Sequence, residues 1–98
     1  GHTLVIPKKH VKDIHDADAL TYSQVAATAK EVADLLAKKL GSDGTTVFQM
    51  SKEAGWQTVF HLHMHVIPRW ENDGLHKPWD IAPASDVDLR EVLQQITK

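Results

Sequence analysis

The chain has 98 residues, 42% of them hydrophobic and 24% charged, with 11 Lys and Arg against 13 Asp and Glu. That length and apolar content suit a single domain over residues 1–98 with its own core and exclude wholesale disorder. A formal charge of −2 offers no basic field for long nucleic acid, and the absence of cysteine and of any apolar run of bilayer length leaves a disulfide scaffold and a membrane span unsupported, so a cytoplasmic protein is expected.

Thr3-Leu4-Val5-Ile6 is a β-branched run closed by Pro7, which cannot donate to a ladder, and it predicts a first strand over Thr3–Ile6. The run follows Gly1 with no initiator methionine, so the chain is expected to lack its natural beginning. Lys8 and Lys9 read as a solvated strand end. Asp16 or Asp18 can cap a helix in which Val25, Ala29, Val32 and Leu36 recur at helical spacing through Leu40, and Gly41 fits its stop. Ser42-Asp43-Gly44 is turn chemistry, Thr45–Met50 a second strand, and Ser51–Trp56 a loop. After the informative stretch from Gln57 to Arg69 comes a loop at Glu71-Asn72-Asp73-Gly74 that runs through Pro78 and Pro83. Ser85 then resembles an N-cap with Asp88 three residues on, and Val92, Leu93 and Ile96 give a final helix its apolar stripe. Strand, helix, strand, strand, helix argues for an α+β fold: an antiparallel sheet with one long helix packed on one face and a short C-terminal helix. The other face of the sheet is left for chemistry or a partner.

Between Thr58 and Ile67 histidine alternates with an apolar residue, and a period of two is a strand signature. On a helix the same spacing would turn each ring roughly 200° from the last. A strand instead sends Phe60, Leu62, Met64 and Val66 to the core and projects His61, His63 and His65 together at intervals of about 6 to 7 Å. Crowding three imidazoles makes each harder to protonate, a cost that a functional site explains and a structural one does not. With an ordinary pKa near 6.5, one neutral ring can act as a nucleophile while a charged neighbour donates a proton. Attack by a ring nitrogen on phosphorus gives a labile N–P bond and splits one hard displacement into two easier ones. Gln57 and Thr58, just ahead of the row, offer amide and hydroxyl donors to phosphoryl oxygens, and Trp56 and Lys52 stand nearby in sequence. His2, His15 and His76 read as surface residues, and Trp70 and Trp79 as packing for the long connection or a subunit contact. Two other readings stay open: a zinc ion held among His61, His63 and His65, and a nucleotide-binding or dimerisation module without useful catalysis.

The run His61 through Ile67 resembles the motif of the histidine triad (HIT) family: His, apolar, His, apolar, His, apolar, apolar. Gly1 to His10 and Ala54 to Val59 resemble the segments that flank that motif. The resemblance implies an antiparallel α+β fold, usually a homodimer, and nucleotide hydrolase or transferase activity on a small nucleotide, a purine nucleoside phosphate, with no cofactor required. It implies that the middle histidine, His63, is the nucleophile, that His65 contacts the phosphate or helps the leaving group, and that His61 orients His63 through its backbone carbonyl. His10 would complete the cluster, and Gln57 and Thr58 would bind phosphate oxygens. Because the third member is histidine, hydrolysis of a nucleoside phosphoramidate or dinucleoside polyphosphate is implied over transfer to a sugar phosphate. The chain departs from the family at Met50, where asparagine is common, and in having no counterpart of some forty preceding residues. In some relatives those residues carry cysteines that bind structural zinc, which leaves zinc open for an intact, longer chain.

Overall fold

The computed structural model describes residues 1–75 and 86–97, the side chain of Asp86 excepted; the expected Ser85 cap, Pro78, Pro83, His76 and Trp79 lie outside the described residues. The order is β1 (Thr3–Val5), α1 (Ala19–Leu40), β2 (Gly44–Gln49), a single 3₁₀ turn (Glu53–Gly55), β3 (Met64–Arg69) and α2 (Asp86–Thr97). It is the α+β arrangement expected, with an antiparallel sheet ordered β1-β3-β2. Among the described residues, no helix is long and apolar enough to cross a membrane.

Of the two candidate caps, Asp18 starts α1: its Oδ1 accepts from the Thr21 N–H at 2.7 Å. Asp16 instead turns back to accept from the Lys12 N–H at 2.9 Å. Gly41 ends the helix in the left-handed region at φ 66°, where glycine meets no Cβ penalty, and its N–H closes on the Ala37 carbonyl. Lys38 and Lys39 in the last turn suit the negative end of the helix. The buried face of α1 carries Val25, Ala29 and Leu36, with Val32 beside them, and meets Val5, Val11, Leu62, Met64 and Val66 in one core. From α2, Ile96 joins that core and Val92 is half-buried, whereas Leu93, expected on the buried stripe, is 57% exposed.

The third strand is shorter than the alternation suggests. Burial alternates from His61 to Arg69, yet ladder pairing begins only at Met64, so of the three histidines only His65 lies within β3. The register gives the reason. Val5 pairs with Met64 and Gln49 pairs with Met64, so both neighbours of β3 end at the same level. Continuing β1 would set Pro7, which has no N–H, opposite Leu62. Leu62 sends its N–H to the Val11 carbonyl at 2.8 Å instead. Phe60, expected in the core, lies ahead of the point where ladder pairing begins and is 54% exposed.

Candidate active site

The histidine row stands where the sheet stops. Val5 points inward, while Leu4 before it in β1 and Ile6 just after the strand are exposed, and those two side chains, with Val59, His61 and His63, line an open cleft of about 190 Å³. The cleft is walled almost wholly by carbon, with imidazoles at one side.

Each ring of the row has its own partner. His63 Nδ1 lies 2.7 Å from the His61 carbonyl oxygen. A carbonyl only accepts, so Nδ1 carries the proton and the neutral ring keeps its lone pair on Nε2. His61 places Nε2 3.1 Å from the Pro7 carbonyl and Nδ1 3.3 Å from His10 Nδ1. By the same logic His61 Nε2 is protonated, and His10 donates to His61. The His65 ring stacks on Phe48, with centroids 4.1 Å apart and planes 12° from parallel, and its Nδ1 meets His2 Nε2 at 2.8 Å. The His63 and His65 rings meet edge to face at 4.9 Å.

Burial, with the neighbouring His2 and His63 adding to it, lowers the His65 pKa to about 4. His65 is therefore neutral at physiological pH in the ligand-free protein. Burial lowers His2 as well.

Two residues take partners that the sequence reading did not give them. His2, read only as a surface residue, is exposed but hydrogen-bonds the third member of the row. A signal for this exists, since a strand puts His2 on the same face as Leu4, and Leu4 is the partner of His65. Gln57, read as a donor to phosphate, is only 4% exposed and has every amide group committed. Its Oε1 accepts from the Lys52 N–H at 2.6 Å, and its Nε2 donates to the carbonyls of Lys12 at 2.6 Å and Val59 at 3.0 Å. Thr58 is exposed beside it.

His61, His63 and His65 turn to different partners and do not converge on one ion, and no group of three or more candidate metal ligands gathers among the described residues.

A family model described as the HIT domain matches residues 1–72. An uncharacterised HIT-like protein of Methanocaldococcus jannaschii is 36% identical over 96 residues, covering 98% of this chain and 72% of that protein. The adenylylsulfatase HINT3 of Arabidopsis thaliana is 31% identical over 75 residues, 76% of this chain and 38% of that one. Among solved structures, a zinc-bound histidine triad family protein from Mycobacterium smegmatis superposes with a TM-score of 0.78 at 33% identity, over 98% of this chain and 68% of its own.

Proposed function

The chain belongs to the HIT family, and from that premise we propose that it is a nucleotide hydrolase acting at a nucleoside-linked phosphate through a nucleotidyl intermediate on His63. One observation carries the reading: the His61 carbonyl holds the Nδ1 proton of His63 and so leaves Nε2 as the nucleophilic nitrogen of a ring that lines an open cleft. The adenylylsulfatase activity in the name of the Arabidopsis relative supports the same reaction class.

In the proposed reaction His63 Nε2 attacks phosphorus and forms the N–P bond, while the leaving group departs with the electrons of its own bond. The imidazolium that results keeps its Nδ1–H on the His61 carbonyl, which steadies the positive charge. His65 supplies the proton to the leaving group. Its pKa of about 4 in the free protein rises when a phosphate anion binds beside it, because the opposite charge favours the protonated ring. Water then attacks phosphorus, His65 takes back a proton, the N–P bond breaks, and a nucleoside monophosphate leaves. The reaction calls on side chains alone. Thr58 supplies a hydroxyl to the phosphate, and His10, through His61, steadies the row.

Purified protein incubated with adenosine 5′-phosphoramidate is expected to release AMP and ammonia. A folded preparation that turns over neither this compound nor any dinucleoside polyphosphate contradicts the proposal.

A further inference from the structure

The loop ahead of the row contains a backbone conformation that its residue disfavours. Lys52 has φ 64° and ψ 166°, a region populated almost only by glycine, and Trp56 has φ 71°. Such residues persist where the surroundings over-determine them. Around Lys52 the determining contacts are hydrogen bonds: its N–H is held by Gln57 Oε1 at 2.6 Å, and its carbonyl accepts from the N–H groups of Gly55 and Gln57, both at 3.0 Å.

The same Gln57 side chain reaches two further segments. Through Nε2 it holds the carbonyl of Lys12, on the loop that carries His10, and that of Val59, two residues before His61. Next to Lys12, the Val11 carbonyl accepts from Leu62, the residue between His61 and His63. One buried amide therefore joins three backbone segments, one of which leads from Val59 to His61, whose carbonyl fixes the tautomer of His63. Neither of its ends is free to reach a ligand.

We infer that Gln57 is a positioning residue: it locks the Lys52 loop and the His10 loop onto the segment ahead of the row, and so sets the carbonyl of His61 against His63. The inference rests on the proposed hydrolase reading for its kinetic consequence, but its structural part can be tested without substrate. A shift of about an ångström in a positioned nucleophile can lower turnover by about 10²-fold.

The test compares wild type, Gln57→Ala, Gln57→Glu and the double variant Gln57→Ala with Lys52→Gly, all as the full chain. In hydrogen exchange without substrate, Gln57→Ala is expected to lose protection at the Lys52 and Leu62 amides. With adenosine 5′-phosphoramidate, kcat is expected to fall about 10²-fold with KM within about threefold of wild type, and Lys52→Gly is expected to return about tenfold of that loss by removing the strain that Gln57 holds down. Gln57→Glu keeps the acceptor for Lys52 but turns an oxygen toward two carbonyls, so its defect is expected to shrink as pH falls and the carboxyl gains a proton to donate. It also covers the case in which Gln57→Ala does not fold. Unchanged protection at Leu62 in a folded Gln57 variant overturns the inference, as does a rise in KM at constant kcat, the mark of a lost substrate contact. If no variant and no wild type hydrolyses the substrate, the hydrolase reading fails, and the exchange data still decide the role of Gln57.

Discussion

The two ends of β3 are finished in opposite ways. Past its C-terminal end, Arg69 meets Asp73 through Nε at 2.8 Å and Nη2 at 3.0 Å and reaches Thr46 Oγ1 at 3.2 Å. Asp73 also caps the N–H groups of Trp70 and Leu75, both at 3.0 Å, and the bonds from Arg69 and from those two amides hold its carboxyl well below the usual carboxylate range. The left-handed residues of that turn are Asn72 and Gly74, both types that tolerate the conformation. Trp70 Nε1 then bonds the Gly41 carbonyl and ties the turn to the end of α1. At the N-terminal end, burial holds His65, the second residue of β3, neutral, and in the loop ahead of the row the positive-φ positions are filled by Lys52 and Trp56. One end is built for stability. The other holds disfavoured backbone and two rings, His65 and His2, whose pKa is lowered by burial, which is where chemistry is expected to reside.

This contrast breaks most sharply at His63. His63→Ala is expected to lower turnover at least about 10³-fold, the scale seen when an enzymatic nucleophile is removed, with little change in the thermal midpoint. Asp73→Ala is expected to do the reverse, lowering the midpoint by several degrees in a thermal melt while kcat holds. A variant at either position that moves both quantities together would erase the distinction.

The backbone difference gives the next effect. Lys52→Gly and Trp56→Gly are each expected to stabilise the fold by about 1 kcal/mol in urea titrations, since glycine adopts positive φ without the Cβ penalty. Asn72→Ala, at the relaxed end, is expected to destabilise. Should the two glycine variants lose stability, the strain assigned to the loop is absent.

A further effect is in pH. His65 has a pKa of about 4 in the folded protein and about 6.5 when unfolded, so between those values the unfolded chain binds the extra proton. Stability is therefore present in full above about pH 6.5 and declines as pH falls toward 4. His65→Gln is expected to flatten that slope in denaturation curves recorded at pH 7 and pH 5; an unaltered slope would mean that another group carries it.

How far these features can be read from sequence depends on whether their cause is local. A cap at Asp16 or Asp18, the stop at Gly41 and the inward set Leu62, Met64 and Val66 follow from spacing and turn chemistry, and the fold class follows from the order of the elements; the choice of Asp18 comes from the structure. Where β3 begins does not, because it depends on Pro7 and on a register between strands about sixty residues apart. The direction of the Gln57 amide is likewise set by carbonyls brought in from Lys12 and Val59. A polar side chain beside a row of histidines looks like a ligand contact until its own partners are known. Lys52 and Trp56 give no sign of positive φ, since their propensities point the other way. His2 was within reach of the alternation argument, which extends from β1 to its partner once the pairing of Leu4 with His65 is in hand.

The account turns on a single nitrogen, Nε2 of His63. Incubating the protein with adenosine 5′-phosphoramidate, quenching at alkaline pH to preserve N–P bonds, and mapping the modified peptide by mass spectrometry tests it directly. The expected result is adenylate on His63 and none in His63→Ala. Adenylate on His61, His65 or His2, or full turnover with no histidine adduct at any time point, would contradict it.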